Sequence, residues 1–393
     1  MEVKECFQKS EVGVIPIDWE VVPIEKFAKL INGRAYAISE WKNQGTPVIR
    51  LQNLTGSGNT YYYSNLKLPE KQYCNFGDLL FMWSATFGPI IWRGERAIYH
   101  YHIWKIETES QKLDKGLLFY ILSELTERVK TSSTNGGTML HLTKGNMEAM
   151  LIPIPPTLAE QIAIATALND ADALITQLEK LISKKRAIKQ GAMQELLNPK
   201  EDWEAKKFGE LTEKIIGGGT PSRSNPIFWG NEIPWVTVKD FATFNAFQTQ
   251  EYVTKEGLKN SASHLIPKGT IITSTRMALG KAVIYEVDVC INQDLKAIFP
   301  QKDIDTKYLF YWFQYNSKRI EDMGSGSTVM GLSLVDLRQI KIEVPTSEIQ
   351  AHIAQILSDM DAEIEVLEKK LEKTRSIKQG MMQELLTGRI RLI

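Results

Sequence analysis

Residues 186–197 read RAIKQGAMQELL, and residues 375–386 read RSIKQGMMQELL. The offset is 189 residues, and the likeness extends backwards. Pro156–Leu197 aligns without a gap on Pro345–Leu386, with 24 identities in 42 positions. Agreement over that length means duplication, and a repeat of this kind decides the architecture. Working outward, the likeness fades but keeps its order. Asp18-Trp19-Glu20 returns as Asp202-Trp203-Glu204, and TPVIRLQNL (46–54) as IPWVTVKDF (233–241). NFGDLLFMWSATFG (75–88) returns as PKGTIITSTRMALG (267–280), and GGTMLHLTKGNMEAMLIPIP (136–155) as GSTVMGLSLVDLRQIKIEVP (326–345). The chain therefore reads globule, helix, globule, helix. The helices diverged little and the globules much, so the helices share one job and the globules do different versions of another.

Within the helical repeat, Ile164, Leu168, Ala171, Ile175, Leu178 and Ile182 fall at spacings of 4, 3, 4, 3 and 4. Ile353, Leu357, Met360, Ile364, Leu367 and Leu371 keep the same spacings, the a/d seam of a coiled coil. Pro156 and Pro345 supply starts; Pro199 and Gly388 supply stops. Each helix spans about 40 residues, roughly 60 Å, and the simplest partner for one long seam is the other, lying antiparallel. A plain spacer would satisfy the seam. The repeat stays most alike beyond it, however, and that points to docking of a repeated partner. The candidate partner-binding residues are Ile188, Gln190, Met193, Leu196, Ile377, Gln379, Met382 and Leu385. The basic residues nearby, Lys184, Lys185, Arg186, Lys189, Lys373, Arg375 and Lys378, read as a solvated or partner-facing surface.

The expected division is 1–155, globule; 156–200, helical region; 201–345, globule; 346–393, helical region. Each globule mixes short strand-like runs with one helical stretch, LLFYILSELTERV (117–129) or TKYLFYWFQYNSKRI (306–320). The fold class is α+β. Three loops recur in order: NGRAY (32–36) with GGGTPSRSNP (217–226), WSATFG (83–88) with STRMALG (274–280), and SSTNGGTM (132–139) with GSGSTVMG (324–331). One such loop is an ordinary turn. Three repeated in both globules point to recognition, which loops on a rigid scaffold perform.

Composition narrows the partners. Of 393 residues, 43% are hydrophobic and 24% charged, which excludes disordered and collagen-like classes. Lys+Arg and Asp+Glu are both 47, so a nucleic acid would be held by local patches and not by a global basic field. Cys6, Cys74 and Cys290 lie far apart and suggest a reducing cytoplasm. The start MEVKECFQKSEVG has no apolar core of a secretory leader, and no run of about 18 apolar residues exists.

Catalytic motifs do not emerge. Leu279-Gly280-Lys281-Ala282 lacks the upstream glycine and the hydroxyl of a nucleotide loop. Ile154-Pro155-Pro156-Thr157 has the prolines of an amino-methyltransferase motif but neither its acid or amide nor its aromatic. His100 and His102 alternate in what reads as a packed strand, without a third metal ligand. Asp294-x-Lys296 resembles half a nuclease motif, but the comparable strand of the first globule carries Trp104-x-Ile106.

The layout resembles the specificity subunit of type I restriction–modification enzymes. EVGVIPIDWEVVPIEKFAKLINGRAY resembles that family's start, GTIITSTRMALGKAVI and GSTVMGLSLVDLRQIKIEVP its target-recognition domain, and IPIPPTLAEQIAIATALNDADALI, IKQGAMQELLNPK and IKQGMMQELLTGRIRL its helices. In the first globule, NGRAYA and WSATFGPI depart from the usual GGTP-like and STRG-like turns. The resemblance implies a non-catalytic subunit whose two target-recognition domains each read one half of a bipartite DNA site. It implies helices that set the spacing, and two docked modification subunits that bring S-adenosylmethionine and adenine-N6 methylation. Motor-nuclease subunits using ATP and Mg would complete the complex in a bacterial or archaeal cytoplasm. No cofactor and no metal site is expected on this chain. The candidate DNA contacts are Arg34, Arg50, Gln52, Asn53, Thr86 and Thr138 in the first globule. In the second they are Arg223, Ser224, Lys239, Arg276, Lys281, Ser327 and Thr328. The rival reading is a protein-interaction scaffold, two binding globules on a coiled-coil rod.

Overall fold

The structure is a computed structural model that describes residues 6–84, 86–134, 143–324 and 331–392. The chain divides into two compact units. One takes the residues up to Glu179 together with those from Lys369 onward; the other is Lys180–Glu368.

In the first unit β1 (Phe7–Ser10) and β2 (Gly13–Pro16) form a hairpin, followed by β3 (Glu20–Pro23). β4 (Ala28–Asn32), β5 (Thr46–Ile49), the short helix α1 (Leu51–Thr55), β6 (Tyr62–Ser64), β7 (Tyr73–Cys74) and β8 (Leu79–Ser84) come next. β9 (Thr86–Ile91), β10 (Ala97–Tyr99) and β11 (Ile103–Thr108) complete two four-stranded sheets, ordered β6-β5-β10-β7 and β4-β11-β8-β9. Then follow α2 (Lys115–Thr134), α3 (Lys144–Glu148), β12 (Leu151–Ile154), which pairs antiparallel with β3, and α4 (Leu158–Leu196).

From β3 onward the second unit repeats this strand for strand; the β1–β2 hairpin has no counterpart among the described residues. β13 (Glu204–Lys207), β14 (Thr212–Gly217), β15 (Trp229–Val236), β16 (Glu251–Val253), α5 (Lys255–Lys259), β17 (Leu265–Ile266) and β18 (Ile271–Ser274) lead to β19 (Ala282–Ile284), β20 (Val289–Ile291) and β21 (Leu295–Pro300). The sheets are ordered β16-β15-β20-β17 and β14-β21-β18-β19. α6 (Thr306–Tyr315), α7 (Ser317–Asp322), α8 (Leu334–Gln339), β22 (Lys341–Val344), which pairs with β13, and α9 (Ser347–Leu385) close the order. The expected α+β class holds. Among the described residues each unit has one parallel strand pair, β5 with β10 and β15 with β20.

The core of each unit explains why the helical repeat changed so little. Ile164 and Leu168 of α4 are fully buried among Trp19, Leu30, Phe81 and Leu118, and Leu385 and Leu386 from the end of α9 join the same core. Ile353 and Leu357 of α9 take the matching place among Phe208, Tyr308 and Phe313, with Leu197 and the partly buried Met193 and Leu196. The a/d seam thus starts on a globule, not on the other helix. Burial of such side chains contributes roughly 1.5–3 kcal/mol each.

Beyond that point each unit pairs one helix half with the other, antiparallel. In the first unit Lys378 meets Asp172 and Arg375 meets Glu179, both at 2.6 Å. In the second Lys189 meets Asp361 and Arg186 meets Glu368, both at 2.5 Å, and Lys185 meets Glu363 at 2.6 Å. Five of the basic residues read as a solvated or partner-facing surface are therefore engaged within the chain.

A buried glutamine ties each helix start to its globule. The Gln161 amide accepts from the Asp114 N–H at 2.8 Å and donates to the carbonyls of Lys112 and Pro155 at 3.1 Å. Gln350 accepts from the Asp305 N–H at 2.9 Å and donates to the carbonyls of Asp303 and Pro345. In each unit one amide satisfies three backbone groups that burial would otherwise leave without partners.

Three expected elements are divided. TPVIRLQNL is a strand only to Ile49. The Arg50 N–H then donates to the Asn53 side chain at 2.9 Å and α1 begins. TKYLFYWFQYNSKRI breaks at Asn316, whose side-chain amide donates to the Trp312 carbonyl at 3.0 Å and competes with continued helix. RAIYHYHIW (96–104), a single strand-like run in sequence, is two strands joined by a turn, because Ile103 N–H closes back on the His100 carbonyl at 3.0 Å.

Candidate nucleic-acid interface

That last turn is where two of the three recurring loops meet; most of the third, 132–139 with 324–331, lies outside the described residues. In the first unit β10 ends at Tyr99, and the His100 N–H donates to the Ile49 carbonyl at 2.9 Å. The chain turns through Tyr101 and His102, and the Trp83 N–H donates to the His102 carbonyl at 3.2 Å. In the second unit the Asn292 N–H donates to the Val236 carbonyl at 3.0 Å. Leu295 N–H closes on the Asn292 carbonyl at 3.2 Å, and Thr275 N–H donates to the Asp294 carbonyl at 2.9 Å. The same backbone bonds thus frame Tyr101-His102 and Gln293-Asp294.

A glycine presses against each turn. A Cβ on Gly33 would come within 2.2 Å of the His100 carbonyl oxygen, and one on Gly218 within 2.3 Å of the Asn292 carbonyl oxygen. NGRAY departs from its counterpart in sequence, yet its glycine meets the same close approach. The register also corrects one alignment. Trp104 pairs with Asn32, and Lys296 with Gly217, so Asp294-x-Lys296 corresponds to His102-x-Trp104, not to Trp104-x-Ile106.

Around the first turn lies an aromatic and cationic face. Arg50 sits over the rings of Trp41 (5.6 Å) and Tyr62 (5.4 Å), which meet edge-on at 4.1 Å. Arg34 forks onto Glu40 at 2.7 and 2.9 Å and lies 5.2 Å from the Tyr36 ring, so its hydrogen bonds hold the Glu40 carboxyl below its ordinary range. The Trp83 indole N–H donates to the Tyr101 carbonyl at 2.9 Å. His100 and His102 lie 5.0 Å apart. Burial first, then His102 and Arg50, push the His100 imidazole down to about 4; burial and Arg50 lower His102.

The second face is more polar. Arg223 stacks 3.7 Å from the Trp229 ring and forks onto Glu251. Glu251 holds the place that Tyr62 holds in the first unit, since Glu251 pairs with Trp235 as Tyr62 pairs with Val48. An arginine reaches that place from a different segment in each unit. The Thr220 hydroxyl donates to the Gln293 Oε1, and the Asn292 amide donates to the Asp294 carboxylate at 3.4 Å. Arg276 lies 3.5 Å from Asp294 with its side chain 60% exposed. Burial lowers the Lys296 ammonium, which donates to the Gln293 carbonyl at 2.9 Å.

The sequence-based candidates separate accordingly. Arg276 adjoins the turn directly, Arg34 through its backbone bond to Tyr99, and Arg50 through its field on the histidines. Asn53 and Gln52 brace the loop at 58–60. Ser224 bonds Ser222 at 2.8 Å, and Thr86, Lys239 and Lys281 are exposed. Thr138, Ser327 and Thr328 lie outside the described residues. Among the partner candidates, Leu385 is buried in its unit, and Met193, Leu196 and Met382 pack inward; Ile188, Gln190, Ile377 and Gln379 are exposed. Trp41, Tyr62, Trp83, Tyr101 and Gln293 were not singled out from sequence. The signal was present in YHYH, whose alternation reads as strand, and in Asp294, which reads as half a nuclease motif. Among the described residues no group of three or more His, Cys, Asp or Glu could hold a metal ion, and no helix is long and apolar enough to cross a membrane.

Comparison with known proteins places this duplicated architecture. The type I restriction modification DNA specificity domain matches twice, at residues 16–190 and 200–374. The MjaVIII specificity subunit of Methanocaldococcus jannaschii is 27% identical, over 99% of this chain and 97% of its own length. The EcoBI specificity subunit of Escherichia coli is 23% identical, over 99% and 89%. The crystal structure of a type I S subunit from M. genitalium shares the fold at a TM-score of 0.64 and 16% identity, covering 98% of both chains. With the family's domain matched over most of its length and in both repeats, the chain belongs to the type I restriction–modification DNA specificity family, as the non-catalytic specificity subunit.

Proposed function

We propose that each unit reads one half of a split DNA site through the face around its turn, and that the paired helix halves fix the distance between the two readings. The observation that carries this is the duplication of the turn with different tips: the same backbone bonds present Tyr101-His102 in one unit and Gln293-Asp294 in the other. Two readers of one design and unlike chemistry suit two unlike half-sites. Arg276 beside its turn, with the exposed Lys239, Lys281 and Thr86 and with Arg50, are the proposed contacts to bases and phosphates; Thr138, Ser327 and Thr328 stay in the proposal on sequence grounds alone. Net neutrality keeps the lone chain's DNA affinity low, so partner subunits supply much of the phosphate contact.

The division into 1–155, 156–200, 201–345 and 346–393 remains the working assignment. Two modification subunits dock on the repeated helical regions, with Ile188, Gln190, Ile377 and Gln379 as the exposed repeated contacts. They bring S-adenosylmethionine, and restriction subunits bring ATP and Mg, in the cytoplasm where the DNA lies. The test is co-expression with the modification subunit and methylome sequencing of the host. A split motif with N6-methyladenine in both halves supports this function. A stable complex without any motif supports a protein scaffold instead.

A further inference from the structure

We infer that the turns joining β10 to β11 and β20 to β21 are the base-specifying elements, with Tyr101 and His102 reading one half-site and Gln293 and Asp294 the other. The inference rests on the DNA-specificity function and deepens it by naming the reading positions.

Three features converge on these residues. First, their backbone is held rigidly and identically. Each turn is anchored on the parallel partner strand, closed on itself and bonded to the neighbouring loop, with a glycine underneath that admits no side chain. A reader needs that rigidity, since a loose side chain loses the entropy that a fixed one does not. Second, two of the recurring loops, 32–36 with 217–226 and 83–88 with 274–280, bring their ends to this one place. Third, the tips differ where the frame does not. Tyr101 is 40% exposed, and Gln293 is exposed at the matching position.

The chemistry suits base edges. A glutamine amide matches adenine, donating to N7 and accepting from N6. Thr220 occupies one lone pair of the Gln293 Oε1 and steadies the amide, and an amide oxygen has a second lone pair to offer. Asp294, steadied by the Asn292 amide, accepts from cytosine N4. In the first unit the depressed histidines are neutral at physiological pH, so each ring carries one donor and one acceptor. A neutral ring reads a base edge, whereas a charged one would grip any phosphate.

The experiment uses the complex of this chain with its modification subunit, selecting DNA from a pool randomised across both half-sites. The Gln293→Glu variant keeps the acceptor and loses the donor. Its preference at one base pair moves from adenine toward cytosine by about tenfold or more, with the other half-site unchanged. The Tyr101→Ala and His102→Asn variants alter positions in the opposite half only. An unchanged motif in all three, or binding reduced for every sequence alike, overturns the inference. If the wild-type complex selects no split motif, the broader function fails instead.

Discussion

Lys378 grips Asp172 at 2.6 Å, and the same carboxylate accepts the Tyr120 hydroxyl at 2.9 Å. In the second unit Lys189 and Asp361 stand 2.5 Å apart, with the Tyr311 hydroxyl on the same Asp361 at 2.8 Å. Each aspartate joins its globule's helix to both long helices. Replacing either by asparagine keeps the shape and removes the charge. These pairs are partly exposed, so Asp172→Asn and Asp361→Asn each cost about 1 kcal/mol. Urea unfolding is expected to give similar losses that add in the double variant; a large loss in one only would show that the repeat is not energetically symmetric.

The buried glutamines should matter more. Gln161→Ala and Gln350→Ala each leave a backbone N–H and two carbonyls short of a partner, at roughly 3 kcal/mol. Hydrogen exchange should rise at the start of α2 for the first variant and of α6 for the second.

Arg391 clamps two carboxylates of the first unit. It bonds Asp18 at 2.9 Å through two nitrogens and also meets the buried Glu160. Arg391→Ala leaves Glu160 buried beside no cation, at on the order of 3 kcal/mol. A lowered thermal midpoint checks this. Restoring much of the loss with Glu160→Gln in the same chain would identify the stranded charge as the cause.

The glycines under the turns have no room for a methyl group. Gly33→Ala and Gly218→Ala force a carbonyl from contacts of 2.2 and 2.0 Å. Each substitution should abolish selection in one half-site while leaving the other half legible in a methylome.

Acid should weaken the first unit through His100. Its folded value, about 4, lies below the ordinary 6.5, so the folded state disfavours the proton. The stabilisation is full above the ordinary value and is lost as pH falls from 6.5 toward 4. An NMR titration of the His100 ring should show a midpoint near 4, and unfolding midpoints should fall over that window. His100→Gln should flatten the dependence.

The helices were legible because their evidence is local. A 4-3 spacing and a 42-residue self-match read the same in any fold, and the helices run Leu158–Leu196 and Ser347–Leu385. Their end segments were legible as special but not as to why. MQELL could serve an outside partner or an inside core, and only packing assigns Leu385 to the core. The candidate arginines were found by type and loop, which is why Arg276 was found and Tyr101 was not.

The duplication, the α+β class, the recurring loops and the family resemblance are legible along the chain, because residues near one another, or a copy of themselves, carry them. Where those loops meet depends on packing between distant segments. Strand pairing of β5 with β10 and of β15 with β20 joins residues about 50 positions apart, and that pairing turns YHYH, strand-like in sequence, and its counterpart INQD into tips on a fixed frame. The reason is physical. Periodicity reports which side of an element faces the core, whereas a turn closed by a backbone hydrogen bond and seated on a distant glycine leaves no periodic trace.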